Sequence, residues 1–514
     1  MSRFPLLLLL LALPLFAVGT SSVGQDADEE TALDPSDANF LYAPEAVAAY
    51  EEGVRLAEAG ENDQALAAFS AALQMQTDYK EAYVAKGKIL LELEDYEAAK
   101  KAFRSAIDYD AQSAEAYNGS GEASLEMGTI DIAYNDFLKA LDFDRQNAEV
   151  LSNIGHIEVN YQNDPVTGIR FLDDAIALNP EDARAHRDRG LAHARLQEFD
   201  DATTNLKKAA EIDPGDYENF STLASIYLAE DKYAEAIEAL GQAIEAYEPK
   251  KHADLDLFIE GYLQRADARM QLGFEEAETD KAASMAAYEA VIGDAKKILA
   301  EYPDRFPYSG LAHYNRGIAE RMLGQYGEAI KSLTESIQSV PGGQQPSYLA
   351  PAYLRRGICW HYQDYDDLAR GDFEQAASIN FLDPVPHLWM GLSYANEGDY
   401  RKAIVKYNEA ISKDPSYALA YVNRGRAYYQ LKEYERAITS FNDAIRNEPT
   451  NAEHYYKRGI CHMQIEEYKK AVNSFRSALL NDPNMAKAQR QMGEAQRKLG
   501  NPNLGETYET QAGQ

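Results

Sequence analysis

Cysteine is nearly absent from this chain: two residues, Cys359 and Cys461, in 514. A disulfide scaffold of the kind that holds small exported domains together is therefore excluded. Basic residues are also short, at 50 Lys and Arg against 84 Asp and Glu, and the formal net charge is −34. That balance excludes non-specific nucleic-acid binding, because neutralising phosphates needs clustered cations. Nine histidines are present, but none stands in H-E-x-x-H, and C-x-x-C, G-x-x-x-x-G-K-S/T and G-x-S-x-G do not occur either. His186 and His193 are seven positions apart, about 10 Å along a helix, too far to hold one ion unaided. The reading is no enzyme, no metal and no cofactor. Long apolar runs are missing too, except one near the N-terminus.

That run, Leu6 to Val18, follows Arg3, contains Pro14 and ends in small residues. It has the layout of a secretory signal. It is shorter than the roughly 20 apolar residues that a spanning helix needs, which argues against an uncleaved anchor. No cysteine follows it, so no lipoprotein anchor is expected. We assign 1–24 as a signal peptide and 25–45 as an acidic leader, carrying Asp26, Asp28, Glu29, Glu30, Asp34 and Asp37 and no Lys or Arg, a composition that stays solvated. The chain is then expected to be exported (periplasmic, envelope-associated or secreted) and not inserted in a membrane after cleavage.

What is abundant is repetition. Residues 353–362, 387–396, 421–430 and 455–464 read "YLRRGICWHY", "HLWMGLSYAN", "YVNRGRAYYQ" and "YYKRGICHMQ". Their glycines, Gly357, Gly391, Gly425 and Gly459, are followed by Gly493, each 34 residues on. Twelve positions after the first four come Ala369, Ala403, Ala437 and Ala471, sixteen after come Phe373, Tyr407, Phe441 and Phe475, and Ala376, Ala410, Ala444 and Ala478 follow. Pro415, Pro449 and Pro483 close units, with Ser416, Thr450 and Asn484 after them as expected caps for the next helix. Upstream, Gly53, Gly87, Gly121, Gly155, Gly190 and Ala224 take the same slot. Tyr421, Arg424, Gly425 and Tyr428 lie at i, i+3, i+4 and i+7, one face of a helix, and Tyr434, Ala437, Phe441 and Ala444 repeat the pattern on a second. Each unit is thus two short helices crossing closely, with Gly425 expected against Ala437.

The fixed offsets of Gly, Ala, aromatic, Ala and Pro resemble the tetratricopeptide repeat family. The resemblance implies an all-α fold, a right-handed α-solenoid (superhelix) of about twelve helix-turn-helix repeats plus a C-terminal capping helix. We place six repeats in 46–250, a lengthened irregular repeat in 251–309, a repeat with an extended loop in 310–349, four regular repeats in 350–485, the capping helix in 486–500 and a flexible tail in 501–514. In the lengthened repeat Ala266 is expected in the glycine slot, and Met285, Tyr288, Ile292, Ala295 and Leu299 form the apolar stripe of its second helix. Cys359 and Cys461 fall in helices three repeats apart, as buried free thiols. "NGS" at Asn118 and "NFS" at Asn219 fall inside first helices and read as chance glycosylation matches.

The resemblance further implies that first helices line a concave face whose slots two, five, nine, twelve and thirteen, counting the glycine as eight, point to a ligand. The N-terminal block puts Glu81, Glu92, Glu115, Glu122, Glu126 and Glu149 there, with one basic cluster of Arg184, Arg187 and Arg195. The C-terminal block puts Tyr314, Leu354, Ile358, Tyr362, Leu388, Leu392, Val422, Arg426, Tyr429, Tyr456, Ile460 and Met463 there. An apolar and aromatic lining suits an amphipathic helix or extended segment; the same side chains would equally suit packing between neighbouring first helices. The Lys-and-Asn pair of the family's carboxylate clamp, at slots five and nine of one repeat, is missing. Charge separates the blocks: 46–249 holds 41 acidic and 17 basic residues, 350–485 holds 18 and 17. The function expected is a non-enzymatic scaffold binding protein or peptide partners on the concave face. The alternative is an assembly component of an extracytoplasmic complex that bridges subunits through its edges and 251–309.

Overall fold

The computed structural model describes residues 42–247 and 255–511, so the expected signal peptide and nearly all of the acidic leader lie outside the described residues. The described residues form helices and no strand. In chain order these are α1 (Pro44–Glu58), α2 (Asn62–Met75), α3 (Lys80–Glu92), α4 (Tyr96–Tyr109), α5 (Ala114–Glu126), α6 (Ile130–Phe143) and α7 (Ala148–Asn160). There follow α8 (Pro165–Leu178), α9 (Ala183–Arg195), α10 (Phe199–Ile212), α11 (Tyr217–Ala229), α12 (Tyr233–Ala246), α13 (Leu255–Glu276), α14 (Lys281–Glu301), α15 (Tyr308–Met322) and α16 (Tyr326–Gln338). The last are α17 (Leu349–Tyr362), α18 (Asp366–Ile379), α19 (Val385–Asn396), α20 (Tyr400–Lys413), α21 (Ala418–Gln430), α22 (Tyr434–Asn447), α23 (Ala452–Gln464), α24 (Tyr468–Asn481), α25 (Ala486–Lys498) and α26 (Pro502–Gln511). The described residues divide into two compact units, one ending at Asn153 and one beginning at Ile154. Within each, a helix packs on its hairpin partner and on the first helix of the next hairpin, the nearest-neighbour pattern of an α-solenoid.

The repeated glycine has a specific neighbour. A Cβ on Gly53, Gly87, Gly121, Gly357, Gly391, Gly425 or Gly459 would meet, closer than 3.0 Å, the ring sixteen positions on: Phe69, Phe103, Phe137, Phe373, Tyr407, Phe441 or Phe475. Gly425 therefore faces Phe441, not Ala437 as its spacing suggested. The alanine slot lets the backbone come close, with Ala369 O within 3.1 Å of the Cβ position of Gly357. These rings are at most 2 % exposed, so the helix-propensity cost of glycine, about 1 kcal/mol, is offset by the apolar area that it lets the ring bury.

Seven residues after the glycine slot the backbone turns left-handed at Gly60, Glu94, Gly128, Gln197, Asp231, Gly324, Asp364, Gly398, Lys432, Glu466 and Gly500. The chain reverses there by a Schellman-type bond such as Glu61 N to Leu56 O at 2.9 Å. The first-helix caps fall one residue later than expected: Tyr417, Asn451 and Met485 occupy the N-cap. The Ser416 and Asn484 amides instead donate to Asp414 and Asp482, at 2.8 and 3.1 Å, because an aspartate before proline closes an Asx turn on the residue two positions on.

Helices α13 and α14 are 22 and 21 residues long. Here Gly273 takes the glycine role, against the Tyr288 ring, while Ala266 is simply buried. Met285 is exposed, and the buried stripe runs Ser284, Tyr288, Val291, Asp294, Ala295, Ile298. Asp294 accepts from Arg265 Nε and Nη2, at 3.2 and 2.6 Å, and from Arg269. The expected flexible tail is corrected as well. Helix α26 packs on α25, and Gly505, twelve positions after Gly493, brings the backbones together: its Cβ would lie 2.9 Å from Gly493 O. Both cysteines are fully buried free thiols, and burial pushes each to about 12.

Candidate partner-binding surface

The first helices carry a recurrent staple on the packing face, one residue before the glycine and outside the ligand-facing slots. The arginine just before the glycine bridges second helices on either side of its own. Arg424 donates Nε to Ser440 Oγ at 3.1 Å and Nη1 to Asn408 Oδ1 at 2.8 Å, sixteen residues ahead and behind. Arg458 repeats this with Ser474 and Asn442, and Arg189 with Asn205 and Asp173. These arginines tie hairpins together and are spent on structure.

The histidines are absorbed in a similar way. His193, His361 and His462 place Nδ1 at 2.8, 2.6 and 2.8 Å from Glu198, Asp366 and Glu467, each five residues on, where the second helix opens. His193, Glu198 and Asp201 bring their ligand atoms within 4.8 Å of one another. The His193–Glu198 contact in that group is this same recurring bond, and the two carboxylates are exposed. Burial holds His462, His313 and His387 below their ordinary ionisation range. Asn118 and Asn219 are buried in α5 and α11.

In the N-terminal unit the acidic slots are only partly open. Glu92 and Glu126 are exposed, while Glu81 accepts from the Tyr42 hydroxyl at 2.8 Å and Glu115 pairs with Lys88 at 2.5 Å. Glu122 accepts from Asn118 Nδ2 at 2.7 Å and, more distantly, from Asn153 Nδ2 at 3.4 Å. Burial first, then the charge of Glu149, raises Glu122 from 4.5 to about 7. A carboxyl raised in the folded state favours folding below its unfolded value, and that contribution is lost as pH rises through the folded value. Glu122→Gln is therefore expected to leave stability nearly unchanged at pH 4.5 and to raise it at pH 8 by roughly 3 kcal/mol; urea melts at the two pH values would read this difference. Of the basic cluster, Arg187 is taken by Asp216 and Glu218 at 2.8 and 2.7 Å, and Arg184 lies 3.8 Å from Asp188.

The twelve C-terminal candidates separate by exposure. Ile358, Leu388 and Val422 are core residues, 7, 2 and 5 % exposed, and are withdrawn from the surface. The reason is the next first helix: Ile358 packs with Met390 of α19, Leu388 with Ala420 and Ala427 of α21, and Val422 with Cys461 of α23. Tyr362, at 55 %, and Arg426 are exposed. Tyr314, Leu354, Leu392, Tyr429, Tyr456, Ile460 and Met463 are partly exposed, each resting on a core cluster or a neighbouring ring. Tyr362 stacks on Tyr326 at 5.2 Å and lies 6.2 Å from Trp389. The slot rule missed the exposed apolar residues Tyr365, Leu368, Phe381 and Leu382, since it concerns first helices alone and these lie on α18 or in the turns beside it.

Family comparison agrees with this architecture. Profiles described as tetratricopeptide repeat match residues 56–120, 161–217, 217–249, 390–452 and 452–485. The chain belongs to the tetratricopeptide repeat family, whose members bind protein or peptide partners. It is 32 % identical over 106 residues to Tetratricopeptide repeat protein 13 of Homo sapiens, covering 21 % of this chain and 12 % of that protein. It is 22 % identical over 249 residues to Stress-induced-phosphoprotein 1 of Caenorhabditis elegans, 48 % of this chain and 57 % of that one. The chain thus spans less than two thirds of either relative. Among solved structures, the type IV pilus biogenesis factor PilW aligns over 45 % of this chain and 96 % of its own at 18 % identity and a TM-score of 0.37. YrrB, described as a TPR protein with an unusual peptide-binding site, aligns over 35 % and 91 % at 24 % identity and a TM-score of 0.30.

Proposed function

We propose that this chain is an exported, non-enzymatic scaffold that holds protein or peptide partners on the concave side of its C-terminal first helices. The observation that carries the reading is the residue set left open after packing is satisfied. At the ligand-facing slots of α17, α19, α21 and α23 the candidate side chains left open or partly open are Leu354, Tyr362, Leu392, Arg426, Tyr429, Tyr456, Ile460 and Met463. Most are aromatic or aliphatic, with the exposed amides of Asn396, Gln430 and Gln464 and the half-buried carboxylate of Glu453 at other slots. Large rigid rings, apolar neighbours and an arginine are the residue types enriched where partners bind tightly. The signal layout at 1–24 supports export, and no helix among the described residues is long and apolar enough to cross a membrane.

Full-length chain used as bait in envelope extract and culture medium is expected to retain a partner that Tyr362→Glu with Arg426→Glu releases. Both side chains are exposed, so the fold survives the change. Leu388→Glu is unsuitable for this purpose, because it would place a charge in the core. Retention of every partner by the double variant would overturn the surface assignment.

A second reading is favoured by the long hairpin. Leu257, Phe274 and Met285 on α13 and α14 are 44, 41 and 43 % exposed, on helices of 22 and 21 residues flanked by helices of 14 and 15. In that case the chain bridges subunits of an extracytoplasmic assembly through this hairpin, and Phe274→Glu with Met285→Glu would release partners that the Tyr362 and Arg426 changes leave bound.

A further inference from the structure

Second helices that open on an acidic N-cap share a device: a donor three positions on satisfies the carboxylate. Gln64 donates to Glu61 at 2.6 Å, Thr167 to Asp164 at 2.8 Å, Lys402 to Asp399 at 2.8 Å, Arg436 to Glu433 at 2.8 Å and Lys470 to Glu467 at 2.6 Å. Asp95 accepts from the Ala98 amide at 3.2 Å instead. Helix α10 departs from this. Its N-cap, Glu198, makes no capping bond, and the residue three on is a second acid, Asp201. The contrast is sharpest with α24, where His462, Glu467 and Lys470 stand at the same relative positions as His193, Glu198 and Asp201. Both histidines place Nδ1 at 2.8 Å from their glutamate. In α24 a lysine completes the group; at α10 an aspartate stands in its place, and among the described residues neither carboxylate pairs with a lysine or arginine.

We propose that His193, Glu198 and Asp201 bind one divalent first-row transition-metal ion of the Zn²⁺ class. A ligand atom of each lies within 4.8 Å of those of the other two. Bonds of about 2.0–2.2 Å in a tetrahedral site put ligand atoms roughly 3.3–3.5 Å apart, and rotation of the two exposed carboxylates closes that difference. The His193 side chain is 13 % exposed and forms the fixed side of the site. Its neutral tautomer with the proton on Nε2 leaves Nδ1 free for the ion. Two carboxylates balance a divalent charge, and the imidazole favours a Zn²⁺-like ion over Ca²⁺ or Mg²⁺, which take oxygen ligands. His193 and Asp201 also line an open cavity of about 770 Å³, together with Thr204 and Lys208. That cavity admits the ion from solvent and leaves room for water or a partner's side chain as fourth ligand. The ion ties the end of α9 to the first turn of α10 across the left-handed residue Gln197, the place that Lys470 holds in α24. The sequence reading of no metal overlooked the site because a histidine followed five and eight positions on by acids matches none of the spacings sought. The inference is independent of the partner-binding reading above.

The test uses the full-length protein, stripped with a chelator, titrated with Zn²⁺ by calorimetry and melted with and without the ion. Wild type is expected to show a saturable site for about one ion per chain. Asp201→Lys, which reproduces the arrangement of α24, and His193→Gln are each expected to bind Zn²⁺ at least about tenfold more weakly, since even an outer-shell change costs that much. Zn²⁺ is expected to raise the melting temperature of wild type and to leave that of either variant unchanged, because only a native state that holds the ion is stabilised by it. Without metal, Asp201→Lys should melt at or above wild type, as it supplies the donor that Glu198 lacks. His462→Gln is the control and should bind Zn²⁺ as wild type does. Equal binding by wild type and both variants would overturn the proposal, leaving adventitious ions only on an acidic surface. Displacement of Zn²⁺ by excess Ca²⁺, or a loss in His462→Gln as large as in His193→Gln, would overturn it as well.

Discussion

Phe103→Ala is expected to destabilise the N-terminal unit by about 3–5 kcal/mol, the range for deleting a fully buried phenylalanine. The ring is 0 % exposed and fills two glycine gaps at once: a Cβ on Gly87 of its own hairpin or on Gly119 of the next would strike it. Truncation therefore empties the joint within one hairpin and the joint between two. Stability in such arrays is a sum of repeat and nearest-neighbour terms, so the loss should be local. Hydrogen exchange should accelerate in α3, α4 and α5 of the variant and change little in α21 to α24. Protection lost uniformly along the chain would contradict the nearest-neighbour account.

Asp294→Ala is expected to cost about 3 kcal/mol, the lower end of the range for removing one partner of a buried ion pair. Asp294 is 3 % exposed and receives both Arg265 and Arg269, one turn apart on α13. Removing it leaves two cations facing each other in the longest hairpin of the described residues. The arginine side chains keep 16 and 20 % exposure, so water relieves part of the cost. Urea unfolding followed by circular dichroism would show the loss, and Asp294→Glu should recover part of it. A variant as stable as wild type would mean that the triad does not hold α13 to α14.

The period of 34 was legible because the close crossing admits few residue types: glycine on one helix, a large ring sixteen positions on, alanine twelve positions on. Helix number and the boundaries of the regular units follow from that spacing. The left-handed turn seven residues after the slot was not read from the spacing: glycine occupies it at Gly398, but Glu94, Gln197 and Lys432 take the same conformation because the hairpin around them over-determines it. The second hairpin helix at the C-terminus was missed because Gly505 stands where alanine is usual. At the surface, spacing placed Leu388 and Tyr362 in the same class. Which of them is open depends on the next hairpin, and this is tertiary information that a slot number does not carry.

The central claim, that partners lie on the open face of the C-terminal first helices, is tested most directly by site-specific photocrosslinking in the protein's own cells. A photoreactive phenylalanine analogue at Tyr362 is compared with the same group at Lys469, which is exposed on the second helix α24. The prediction is a discrete adduct from position 362, released when Arg426 is changed to glutamate, and none from position 469. Adducts from 469 with none from 362 would contradict the claim and place partners on the other side of the hairpins.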